Sequence, residues 1–122
     1  MNLNTETVTV LRSAFALYEE EIEDFLANHP ASPETVARNK AELTSIRKKL
    51  FQKSFTANFD LNELRHLYAA LKMFRECIEE DLSDFSSSDR ELSLSMQRSC
   101  NQLLREFRHK FLEAGIEPER FE

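Results

Sequence analysis

The sequence is short of glycine, proline, cysteine and tryptophan: one, three, two and none in 122 residues. Each scarcity excludes something. Hairpin turns and phosphate-cradling loops depend on the positive φ open to glycine, so one glycine argues against all-β and nucleotide-binding α/β folds. It also excludes a P-loop or a Gly-x-Gly-x-x-Gly fingerprint, each of which needs at least two glycines. Cys77 and Cys100 are too few for a disulfide scaffold and too far apart for Cys-x-x-Cys chemistry. Both fall in half-apolar helical stretches and read as small core residues. No apolar run approaches the roughly 18 residues that a membrane span requires. Residues 1–20 lack a basic segment followed by an apolar one, the pattern of a secretory signal. A cytoplasmic protein without a membrane partner or a cofactor is the expectation.

What is present is apolar material and charge in quantity. After Met1 there are 35 Leu, Ile, Val, Phe and Met residues, ten of them Phe, enough for a core in one domain over 1–122. The apolar positions repeat at helical spacing. Val8, Leu11, Phe15, Tyr18, Ile22 and Phe25 follow a heptad stripe and predict a helix over 5–28, stopped at His29-Pro30. A second helix, 33–53, opens with Ser32 as N-cap and Pro33 at the first helical position. Its seam (Val36, Leu43, Ile46, Leu50) is the weakest, because Asn39 or Lys40 interrupts it. A homodimer is compatible with that weakness.

The third helix, 60–82, starts at an Asp60/Glu63 capping box, with Phe59 placed to staple onto Leu64. Leu64, Leu67, Leu71, Phe74, Ile78 and Leu82 carry its stripe. The linker 83–88 is rich in serine. A fourth helix, 88–114, has a Ser88/Glu91 capping box and a stripe of Leu92, Met96, Leu103, Phe107 and Phe111. The lone glycine, Gly115, stands where a left-handed residue ends a helix, ahead of a short tail, 115–122. Four such helices with short connections predict an all-α, up-down-up-down antiparallel four-helix bundle. A faint similarity between the two halves is explained either by a duplicated helical hairpin or by shared heptad constraint.

Charge is segregated along the chain. Acids cluster at Glu19, Glu20, Glu21, Glu23 and Asp24, and again at Glu76, Glu79, Glu80, Asp81 and Asp84. Basic residues close the second helix (Arg47, Lys48, Lys49, Lys53) and the fourth (Arg105, Arg108, Lys110). In the up-down order one end, 15–42 with 72–100, carries −8, and the other, 1–14 with 43–71 and 101–114, carries +4. Acids at helix C-termini oppose the helix dipole, so stability alone does not select such an acidic pole. A protein partner with a basic surface is the reading that follows, with solvated helix faces as the plain alternative.

Two Glu-x-x-His motifs, Glu63/His66 and Glu106/His109, have the i, i+3 spacing with which carboxylate-bridged di-metal bundles aim ligands inward. They resemble that site in spacing only. With Leu64, Leu67, Phe107 and Phe111 facing the core, the pairs fall on flanking or outward positions. Residues 43–59 offer no carboxylate to complete the set. The expectation is solvated helix-end residues and no metal. His29 reads as a loop histidine. No nucleophile stands beside a base in sequence, and no catalytic residue is assigned. Nucleic-acid contact would use the basic second helix, against the repulsion of an acidic remainder, and is disfavoured. The sequence thus points to a non-enzymatic interaction or regulatory bundle with an unidentified protein partner. A metal-binding bundle enzyme and a nucleic-acid-contacting regulator are the alternatives.

Overall fold

The computed structural model describes residues 5–28, 32–51, 59–83 and 90–117. They form four helices, α1 (Thr5–Asn28), α2 (Pro33–Leu50), α3 (Leu61–Ser83) and α4 (Arg90–Glu113), and no strand. The all-α expectation holds. Ser88, His29, Pro30, Lys53, Asp84 and the linker 84–88 lie outside the described residues, as does the tail from Pro118.

Where the helix signals can be compared, they are seen. Ser32 has extended backbone (φ −64°, ψ 146°) and its hydroxyl accepts from the Thr35 amide at 3.2 Å, with Pro33 opening α2. At α3 the capping box is reciprocal: the Glu63 amide donates to Asp60 Oδ1 at 2.8 Å, and the Asp60 amide donates to Glu63 Oε1 at 3.0 Å. Gly115 has φ +77°. Its amide donates to the Leu112 carbonyl at 3.0 Å and that of Ile116 to Phe111 at 2.8 Å, the paired bonds of a Schellman stop.

The core runs through all four helices but unequally. Leu11, Phe15, Leu67, Leu71, Leu103, Phe107 and Phe111 are fully buried. α3 packs most extensively on α4 and α1, whereas α2 lies more lightly on α1 and α3. The stripes fail at their ends: Phe25 is 53% exposed and Leu92 59%. Cys77 is exposed too, contrary to its expected place in the core, while Cys100 is buried.

Contacts between named residues give the helix directions. Arg12 reaches Leu50, and Arg47 reaches Glu19, so α1 and α2 are antiparallel. Tyr68 meets Phe111, Arg75 meets Asn101 and Arg90 meets Leu82, so α3 and α4 are antiparallel as well. The up-down-up-down order, however, needs the start of α1 beside the end of α4. Instead Glu6 accepts a hydrogen bond from Ser95, near the start of α4, while Tyr18 meets His66 near the start of α3. α1 therefore runs parallel to α4 and opposite to α3. The expected order fails between α2 and α3: with α1 antiparallel to both, those two are not antiparallel to each other, and their connection, the ten residues between Leu50 and Leu61, is the longest of the three.

Candidate functional site

That correction moves the charges. Glu76, Glu79, Glu80 and Asp81 lie in the last third of α3, at the end where Glu6 meets Ser95. Glu19, Glu20, Glu23 and Asp24 lie toward the His66 end. From the level of Glu6 to that of Tyr18 is about 18 Å at 1.5 Å per residue. The two acidic clusters are therefore at opposite ends, and a single acidic pole does not form. The α1 cluster, with five acids between Glu19 and Asp24, lies beside α2, which carries +3. Arg47 donates to Glu19, and the pairing raises the guanidinium pKa still further. At the other end, the hydroxyls of Ser95 and Ser99 hold the Glu6 carboxyl below its ordinary range.

The basic face of α2 is paired in part with carboxylates of α1 and α3, although Arg47 and Lys48 are exposed and only Lys49 is partly buried. Lys49 Nζ lies 2.6 Å from Glu63 Oε1 and 5.8 Å from the Phe59 ring centroid. Arg47 is taken by Glu19, leaving Lys48 exposed. Two of its three described cations thus have intramolecular carboxylate partners, which weakens a phosphate-binding reading.

The Glu63/His66 pair is the larger correction. Neither is a solvated helix-end residue: Glu63 is 2% exposed and His66 5%. α3 is covered on two sides, by α1 and α4 and by α2, so its buried face is wider than the leucine stripe. Glu63 Oε2 accepts from Ser45 at 2.8 Å, and Oε1 takes Lys49 and the Asp60 amide. Both carboxylate oxygens are satisfied, as a buried charge requires. His66 Nε2 lies 2.7 Å from Glu42 Oε2, and Nδ1 lies 2.8 Å from the Tyr18 hydroxyl. An ionised carboxylate only accepts, so Nε2 carries the proton and, in the neutral ring, Tyr18 donates to Nδ1. Arg38 stands 3.9 Å from the same Glu42.

Tyr18–His66–Glu42 has the hydroxyl–imidazole–carboxylate connectivity of a nucleophile relay. Its chemistry runs the other way. Burial, opposed by Arg65 and assisted by Glu42, pushes the Tyr18 hydroxyl up to about 12, so its proton is held more tightly than in free tyrosine. An activated nucleophile needs the reverse. Glu42 and Tyr18 were not singled out in the sequence, since α2 has no periodic signal at Glu42 and Tyr18 reads as an ordinary member of the apolar stripe.

The second motif behaves differently. His109 is 73% exposed at its side chain and pairs with Glu113 one turn on, at 2.9 Å. Glu106 Oε2 is buried without a hydrogen-bond partner among the described residues. The two motifs are not brought together, and no group of three or more His, Cys, Asp or Glu side chains among the described residues is arranged to hold a metal.

Between α1 and α2 lies a groove of about 400 Å³. Leu26, Ala27, Val36 and Leu43 supply its apolar surface, and Glu19, Glu23, Lys40, Thr44 and Arg47 its polar rim. It opens along the first half of α2, where no residue from 33 to 42 is fully buried. No described helix is long and apolar enough to cross a membrane. No known protein family, curated protein or solved structure matches the chain.

Proposed function

We propose that the chain is a non-enzymatic interaction module that binds a protein partner in the groove between α1 and α2. The groove carries this reading: it joins the partly exposed Leu26 and Val36 and the exposed Ala27 with a rim of both charge signs, the composition of a peptide-binding cleft. The tightly held proton of Tyr18 supports a non-catalytic role for the only relay-like chain described. Free Cys77 and Cys100 support a reducing, cytoplasmic setting.

Affinity capture from the native host, read by mass spectrometry, tests the proposal with Leu26→Glu/Val36→Glu against wild type. The variant should keep its helical circular dichroism and lose the captured partner. A second comparison uses charge. Glu23→Lys, on the groove, should weaken capture at low salt, whereas Glu80→Lys, at the far end, should not. Equal capture by wild type and the groove variant would sink the reading. Light scattering on both proteins tells whether the occupant is a second copy of the chain.

A further inference from the structure

We propose that α2 is a releasable wall of this groove: polar contacts latch it onto α1 and α3, and it opens as a unit while α1, α3 and α4 stay packed. This rests on the groove being the binding surface and concerns how that surface is made and unmade.

The apolar anchorage of α2 is slight. Of its 18 residues only Leu43, Ile46 and Leu50 are buried, against five buried apolar residues on α4. α2 also has at most marginal contact with α4, so the packing of Phe15, Leu71 and Phe107 does not depend on it. Polar contacts supply the remainder. Glu42 receives His66, Ser45 and Lys49 hold Glu63, and Arg47 holds Glu19. The charged and titratable groups around His66 and Glu63 include Tyr18, Arg65 and Glu42 near the first, with Arg38 beside Glu42, and Lys49 and Asp60 beside the second.

Such contacts fail within a short displacement, because a hydrogen bond weakens steeply with distance and angle, whereas apolar burial declines gradually with area. A helix held mainly by the first kind has two arrangements, latched and open, instead of a continuum. Opening removes Val36, Leu43 and Arg47 from the groove together. A partner needing both walls binds only the latched form, and its apparent affinity falls with the latched fraction.

Hydrogen exchange of the full chain, without a partner, tests the latch independently of the groove reading. In wild type the α2 amides should exchange at least tenfold faster than those at the centres of α3 and α4. Ser45→Ala and Glu42→Gln leave the Asp60–Glu63 capping box intact. Each should speed α2 exchange several-fold further while α3 and α4 stay unchanged. Protection of α2 equal to that of α3, or variants that speed all four helices alike, would overturn the proposal. Failed capture by a protein whose α2 still opens separately would instead overturn the groove reading.

Discussion

Tyr18 and His66 share a 2.8 Å hydrogen bond that ties α1 to α3 through a buried ring. Tyr18→Phe keeps the aromatic packing and strands His66 Nδ1 without its donor. The expected loss is about 1–2 kcal/mol, read from urea unfolding followed by circular dichroism. A variant as stable as wild type would mean that the bond contributes nothing net.

The same hydroxyl sets an alkaline limit. Burial pushes Tyr18 to about 12 and the Cys100 thiol to about 11, above their unfolded values of 10.0 and 9.0. A raised acid binds more protons folded than unfolded, so its contribution is complete below the unfolded pKa and is lost as pH rises through the folded one. The urea midpoint should therefore decline from about pH 9 for Cys100, and from about pH 10 for Tyr18. Cys100→Ala should remove the earlier part of the decline and Tyr18→Phe the later part.

Glu63 joins the α3 cap to the α2 contact. Glu63→Ala breaks the capping box and removes the carboxylate from Lys49, itself 34% exposed, for an expected loss of about 2–4 kcal/mol in thermal unfolding. Lys49→Met tests the pair from the other side. It leaves a carboxylate only 2% exposed without its cation, and should cost at least as much as Glu63→Ala in the same unfolding measurement.

The two thiols should separate by reactivity. Cys77 is exposed and Cys100 buried with a raised pKa. A disulfide reagent should titrate one thiol in the native protein and two in denaturant. Two fast thiols in the native state would contradict the packing of α4.

Gly115 offers a local check on the end of α4. A Cβ added there meets nothing within 4 Å, so the whole effect of Gly115→Ala comes from its φ of +77°. The expected loss is about 1 kcal/mol, and Gly115→Asn should lose less, because asparagine tolerates the left-handed region.

Helix positions were legible in the sequence because their signals are local. Ser32-Pro33, Asp60/Glu63 and Gly115 each act within a turn of chain. What packs on what was less so. Leu64, Leu67 and Leu71 correctly mark one buried face of α3, yet they hide the second, which α2 covers and which contains Glu63 and His66. A carboxylate reads as solvated until its partners are known, and Ser45 and Lys49 sit 18 and 14 positions away. Phe25 and Leu92 continue their stripes in sequence, but each lies near a helix end and remains exposed. The acidic clusters were assigned to one pole because the direction of α1 against α3 was assumed from connection length. One hydrogen bond between Glu6 and Ser95 records the other answer.

Arg12 fastens one end of α2. Its Nε donates to the Leu50 carbonyl at 2.6 Å, and its guanidinium lies over the Phe51 ring at 5.6 Å. The opposite end, from Pro33 to Glu42, has no buried residue. An 18-residue helix is about 27 Å long, so release of its free end with Leu50 held would act as a lever about Leu50. A tilt of about 10° there carries Pro33 through roughly 5 Å, the rise of one helical turn. Release of the Glu42 and Ser45 contacts with Leu50 still held would therefore open the groove most where Val36 and Lys40 face α1.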